Sequence, residues 1–313
     1  MRLYTKDKIK ESHQKILEVS KTILEFAKKY EFVAMPGYTH TQQAMLSSVG
    51  QWAGNFIEAL LDDCQILDSA FDLNDQNPLG SAAGFGSALP IDRDETTKLL
   101  SFSKTQINSL YCQNSRGKIE SFTISCLSQL MLTLGKIAND IIWFSSYEFA
   151  FLQVDKSLTT GSSIMPQKQN LDILEVLRAN VSVLISYEFQ LKSAYQNLIS
   201  GYHKDLKISK HTLIESFQIA LNSLDIVDEI FKNLKPNIEK LKNSFSKGIF
   251  ATDMANELVM KGMPFRDAYR KVGENLKKIK MPNLEKNLKS KISLGAPGNL
   301  GLDCYQKEIF DLQ

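Results

Sequence analysis

Five stretches of the sequence repeat apolar residues at spacings of three and four over roughly 25 residues each, and no other feature restricts the fold so strongly. The first covers residues 5–30, with Ile9, Ile16, Leu17, Ile23, Leu24 and Ala27 on one stripe. The second, about 47–71, repeats Val49, Trp52, Ala53, Phe56, Leu60, Cys64 and Leu67. A third covers 118–144, a fourth about 171–198, and a fifth follows Asp205 and ends before Pro236. No strand-like alternation separates them. The pattern predicts an all-α fold, a long five-helix bundle over residues 1–238, with stripes wide enough to face partner subunits as well as their own core. From Pro236 the elements shorten, which predicts a small C-terminal α domain over 239–313. Within it Thr252-Asp253 reads as a helix cap, Gly262 as a stop and Pro264 as the first turn of the next helix. This helix-turn-helix outline invites comparison with a DNA reader, but the mixed charge of Phe265-Arg266-Asp267 favours a structural role.

Charge narrows the function classes. Thirty-seven basic and 35 acidic residues leave a net charge of +2 over 313 residues, which argues against nucleic-acid and membrane-surface partners. Lysines gather at Lys277, Lys278 and Lys280 beside acidic residues, the composition of a solvated face. The four cysteines, Cys64, Cys112, Cys126 and Cys304, contain no C-x-x-C pair and read as small buried hydrophobes in a reducing compartment. The apolar runs are short and interrupted for a bilayer span, and the charged stretch Met1 to Lys10 is not a signal peptide, so cytoplasm is the expected location.

Chemistry concentrates at Thr159 to Glu175. A small-residue loop with Gly161, Ser162 and Ser163 leads to Pro166, then to Lys168 and Asn170, then to a helix. A hydroxyl, a fixed cation and a helix N-terminus together suit an anionic substrate. A plain Ser/Gly linker ahead of a helix uses the same residue types, and spacing alone does not choose between them. Among the four histidines, His13 and His211 lie on helix faces expected to be solvated, and His203 lies near a loop. His40 stands apart in a polar loop after Pro36-Gly37, flanked by Thr39 and Gln42. No histidine pair has metal-ligand spacing, so no metal site is expected, and the loop 80–86 lacks the lysine and hydroxyl of a phosphate-binding loop.

The run Gly161-Ser162-Ser163-Ile164-Met165-Pro166-Gln167-Lys168-Gln169-Asn170 resembles the signature of the fumarase/aspartase superfamily. Residues 35–42 and 78–84, Tyr202-His203-Lys204-Asp205 and Lys261 to Arg266 narrow the resemblance to the argininosuccinate lyases. It extends from Met1 to about Leu300. The resemblance implies a cytoplasmic homotetramer with a shared central bundle, each site assembled from loops of three subunits. It implies β-elimination of argininosuccinate to arginine and fumarate without a cofactor. By motif position Ser162 is the implied base and His40 the other acid/base group, with Glu175 orienting His40. Lys168 and Asn170 would hold the substrate carboxylate, and Thr39, Tyr202, Lys207 and Lys210 would contact substrate. Chemistry makes compatible demands: a weakly acidic Cβ proton needs cations and donors where charge develops, and a serine base needs help from Lys168 or the helix N-terminus. Either Ser162 or His40 can take the first proton on this reading.

Three positions depart from the family's common pattern. Leu171 stands where proline usually follows, Gln169 replaces a frequent lysine, and Lys207 occupies the place of a substrate-binding glutamine. The family's Ser-Arg-Asn-Asp loop does not occur in the sequence, and Asn114-Ser115-Arg116-Gly117 resembles it only loosely. That absence suggests a truncated or split lyase served by a separate N-terminal domain and impaired as an isolated chain. Alternatives are a non-catalytic lyase-fold scaffold, or a lyase for another fumarate-yielding substrate.

Overall fold

Each long stripe becomes a helix because it finds at least one other stripe to bury against. A computed structural model describes residues 1–313. Helix α1 (Arg2–Lys29) leads into a hairpin of β1 (Ala34–Thr39) and β2 (Gln42–Ser48), and α2 (Val49–Asn74) returns antiparallel to α1. β3 (Gln76–Asn77), α3 (Arg93–Leu99), β4 (Lys104–Thr105) and α4 (Ser109–Asn114) form a cap before α5 (Lys118–Phe144). β5 (Leu152–Val154) precedes α6 (Asp172–Tyr195), and α7 (Ser209–Lys232) ends at β6 (Leu234–Pro236), which pairs with β5.

The five long helices therefore share two ends. At the head lie the hairpin, the starts of α2 and α6 and the ends of α1, α5 and α7. Their junction is aromatic: Phe26, Phe56, Phe144 and Phe231 surround Trp52, whose Nε1–H donates to Asp140 Oδ2 at 3.0 Å. At the tail lie the starts of α1, α5 and α7, the ends of α2 and α6, and the β3–α4 cap. There Arg2 donates to Ser115 Oγ at 3.1 Å, and Lys6 is buried between Asp75 and the Ser101 carbonyl. Local chemistry starts the helices where the stripes begin. Ser48 Oγ accepts the Gln51 N–H at 3.0 Å, and Glu120 accepts the N–H of Gly117 at 2.7 Å ahead of α5. Gly117 has φ +81, and a Cβ there would lie 2.9 Å from both Leu206 and Tyr195.

Helix α6 differs from its neighbours. It buries only Leu174, Leu177, Leu184 and Leu191, and leaves Val176, Ile185 and Phe189 exposed. A single seven-residue seam is enough to hold it to α5 while its other faces stay uncovered.

The chain between the first two long helices is a hairpin, not the polar loop expected for residues 38–42. Its strand Ala-Met-Pro-Gly-Tyr-Thr does not alternate in burial, and its register shifts between Pro36 and Tyr38, so the period-two signal is absent. Gly37 permits the close strand approach, since a Cβ there would lie 3.1 Å from the Met45 carbonyl. Other expectations shift more modestly. Cys304 is exposed, unlike the other three cysteines. His13 is mostly covered, 3.7 Å from Asp68. By length and composition the Ser109–Phe144 segment could cross a bilayer, but its most apolar stretch is mostly buried in the bundle.

Beyond β6 come α8 (Ile238–Lys242), α9 (Ala251–Met260), α10 (Phe265–Gly273), α11 (Leu284–Lys289) and α12 (Leu302–Asp311). Phe250, not Thr252-Asp253, caps α9, and Pro264 is the residue before α10 rather than its first turn. A second core joins Phe250, Ala268, Val272 and Leu288 to Leu46 of the hairpin, so this unit sits at the head. Gln43 ties the two together, donating to the Ser244 carbonyl at 2.7 Å and accepting the Ser246 N–H at 2.9 Å. The last helix turns back: Leu302 and Ile309 enter the bundle core, and Tyr305 donates to Glu58 at 3.1 Å.

One carboxylate lies inside the bundle. Burial pushes Asp63 up to about 6, the nearby Asp62 charge adds to this, and the Thr133 hydroxyl opposes it. The folded chain thus holds this proton more tightly than the unfolded chain, so the contribution to stability is present below pH 3.8 and lost as pH rises through about 6. Asp63→Asn is expected to stabilise at pH 7.5 by on the order of 2 kcal/mol, with the gain vanishing near pH 4. Urea unfolding at the two pH values measures it, and an equal gain at both would refute it.

Candidate active site

The sequence-predicted residues divide between the two ends of the bundle. Thr39 and His40 lie at the head, where His40 and Thr41 form the hairpin tip with φ +52 and +61. Such left-handed turns suit a two-residue hairpin loop and carry a cost for non-glycine residues, which holds the imidazole out in solvent. Tyr38 fixes the hairpin from below, with ring centroids 6.3 Å from Phe144 and 5.8 Å from Phe149.

The segment that carries Ser162 is also at the head, just ahead of α6. The Thr160 N–H donates to the Asn170 carbonyl at 3.0 Å, and the Asn170 N–H donates back at 2.8 Å. These two bonds close residues 161–169 into a loop whose interior touches little else. Within it Ser162 Oγ accepts the N–H groups of Ile164 at 3.3 Å and Met165 at 3.1 Å. Two donors aimed at a hydroxyl oxygen stabilise its deprotonated form, which is what a serine base requires. The Asn170 side-chain amide donates to the Gly161 carbonyl, beside Ser162, at 3.5 Å, Lys168 is exposed within the loop, and Glu175 is exposed in the first turn of α6.

Tyr202, Lys207 and Lys210 lie at the tail. Lys207 and Lys210 line a cavity of about 590 Å³ together with Arg2, Arg116 and the loop 78–82. Four cations face one carboxylate, Glu120, which is already bonded to Gly117, so the cavity favours anionic groups. Tyr202 is held beside it by Arg116, whose guanidinium carbon is 4.9 Å from the ring centroid, and by Asn114, which accepts the Gly201 N–H at 2.8 Å. Arg93 braces the other wall, donating to the carbonyls of Leu79, Gln106 and Ile107. Sequence reasoning missed Arg2, Arg93 and Arg116 because their partners lie 13 to 113 positions away, beyond any spacing rule.

A single chain keeps the two groups apart. Helices of 24 to 28 residues measure about 36–42 Å at 1.5 Å per residue, several times the length of a small dicarboxylate. Ser162 and Lys210 of one copy cannot reach the same small molecule.

Comparison with known proteins agrees with this architecture. The profile described as lyase matches residues 1–185, and that of the argininosuccinate lyase C-terminal region matches 249–290. Solved structures with similar folds include an EDDS lyase (TM-score 0.87, 18% identity, 99% of this chain and 70% of that one) and the class II fumarase of Schistosoma mansoni (0.70, 18%, 88% and 66%). Five long helices with polar loops at both ends thus define a lyase of the fumarase/aspartase fold class. The argininosuccinate lyase of Thermotoga neapolitana is 42% identical over 274 residues, 88% of this chain and 69% of that protein. That of Sorangium cellulosum is 38% identical over 98% of this chain and 71% of its own length. The chain belongs to the argininosuccinate lyase family.

Proposed function

We infer that the chain catalyses β-elimination of argininosuccinate to L-arginine and fumarate in the cytoplasm. The observation that carries this is the separation of Ser162, Lys168, Asn170 and Glu175, with His40, at the head from Tyr202, Lys207 and Lys210 at the tail. Antiparallel pairing of copies brings one head to another's tail, and the uncovered faces of α5 and α6 supply the apolar surface for it. A homotetramer is the assembly proposed.

In such a composite site Ser162, its oxygen held by two backbone donors, takes the Cβ proton. The electron pair passes into the neighbouring carboxylate, which Lys168 and Asn170 hold as an aci-carboxylate. It then returns to form the double bond and expel the guanidino nitrogen, which takes a proton from His40, with Glu175 orienting the imidazole. Loss of any one group would slow elimination, so the presence of all of them counts against a purely structural scaffold.

The direct test is the rise in absorbance from fumarate when argininosuccinate is added, with and without an N-terminal lyase segment from a relative. Release in neither case would overturn the assignment, and release only with the segment would place part of the site on it.

Lys207 adds a cation to a cavity that already holds three. Lys207→Gln is expected to lower KM for argininosuccinate by about threefold to tenfold by relieving repulsion of its guanidinium group. An unchanged or higher KM would count against that placement.

A further inference from the structure

The hairpin that carries His40 is held between two bodies. On one side Tyr38 packs its ring against Phe144 and Phe149 at the head of the bundle. On the other, Gln43 reaches the C-terminal unit, more than 200 positions along the chain. Its Nε2–H donates to the Ser244 carbonyl at 2.7 Å, and its Oε1 accepts the Ser246 N–H at 2.9 Å. Side-chain amide and backbone thus exchange a donor and an acceptor, as two paired strands do, which fixes the direction of the amide as well as its distance.

The place of this bond pair matters more than its strength. Gln43 stands opposite Tyr38 in the ladder, and only Thr39 with Gln42 is paired beyond it. Residues 39–42 are all exposed, and the one side-chain hydrogen bond among them, from Thr41 to the His40 carbonyl, is local. Tyr38 and Gln43 are therefore the last points at which the rest of the molecule can set the direction of the imidazole. Docking of the C-terminal unit does not depend on Gln43. Leu46 enters the second core, Lys291 donates to the Leu46 carbonyl at 3.0 Å, and Gln51 donates to the Gly295 carbonyl at 2.9 Å. Those contacts fix the base of the hairpin and the start of α2, and they leave the tip to Gln43.

We infer that Gln43 is a positioning residue: by clamping the hairpin tip to residues 244–246 it holds His40 where the leaving nitrogen can take its proton. This rests on the role given to His40 in the proposed elimination. A misplacement of about 1 Å in a reacting group can cost about a hundredfold in rate, and a clamp at the tip limits such an error more directly than one at the hairpin base. The C-terminal unit thereby takes part in the reaction, since any displacement of residues 244–246 is passed to the imidazole.

Two variants break the clamp from opposite sides. Gln43→Leu removes both bonds with a side chain of similar size. Ser246→Pro removes the N–H that Gln43 accepts, at a residue whose φ of −76 suits proline. Each is expected to lower kcat for fumarate release by about tenfold to a hundredfold, with KM changed less than about twofold. Neither should further lower the residual rate of His40→Ala, and the two together should be no slower than Gln43→Leu alone. Hydrogen exchange of the full chain is followed in parallel by mass spectrometry: residues 38–43 should exchange at least about fivefold faster in both variants, with α2 unchanged. Faster exchange with kcat unchanged would overturn the proposal, as would a loss that multiplies with that of His40→Ala. Unaltered exchange in both variants would overturn it too, because no clamp would then exist. If the unmodified chain releases no fumarate, the proposed reaction fails, and the exchange rates alone decide whether Gln43 holds the tip.

Discussion

Ser162→Ala is expected to lower kcat for fumarate release by about 10²- to 10⁴-fold, the range of a lost positioned proton-transfer group, with KM changed far less. The asymmetry arises because Ser162 Oγ is bonded only within its own loop, to the N–H groups of Ile164 and Met165. Removing it takes away a base and leaves the substrate contacts of Lys168, Asn170 and the tail residues in place. Lys210→Ala, at the opposite end, should raise KM as well as lower kcat. A preparation in which the two inactive variants are unfolded together and reassembled should recover part of the activity, since some sites then combine an intact head with an intact tail. Chains carrying both substitutions give no such recovery and serve as the control. If the reassembled mixture stays as inactive as its parts, head and tail do not meet across copies, and the composite site is wrong.

The second large effect falls on stability. Trp52→Ala is expected to cost about 3 kcal/mol, the lower end of the penalty for truncating a large aromatic side chain, because the ring is half-buried against the core. Its ring meets four others, with centroids 5.6 to 6.5 Å away. Its N–H is also the donor for Asp140, whose carboxyl is raised by burial and would lose the bond that opposes that shift. Trp52→Phe keeps most of the ring contacts and removes only the donor, so it should cost about 1–2 kcal/mol. Equal losses for the two variants in urea unfolding would show that the hydrogen bond, rather than ring burial, governs this junction. Because Phe144 touches both Trp52 and Tyr38, the alanine variant should also loosen the hairpin that carries His40.

The helices were legible because their stripes are long and their burial is one-sided. The third stripe, expected at 118–144, matches Lys118–Phe144, where Glu120 and Gly117 mark the start in the sequence itself. The hairpin was not legible, since Pro36 and Gly37 resemble loop punctuation and the strand does not alternate. For the candidate site, residue types and local order could be read in Ser162, Lys168 and Asn170. Their division between head and tail could not, because it depends on which way each helix runs. Arg116 shows the limit most clearly. As part of Asn114-Ser115-Arg116-Gly117 it looked like an accidental echo of a binding loop, and only the fold brings it over the Tyr202 ring.

The pair of backbone bonds between Thr160 and Asn170 has a further consequence. Their cost of ring closure is met by the scaffold, so the nine enclosed positions are free to change without moving the first turn of α6. The segment 161–169 is in that sense a cartridge: its contents set reactivity, and its fixed mouth preserves the register of the helix that carries Glu175. Transplanting it between bundles of this kind would transfer chemistry without rebuilding either core.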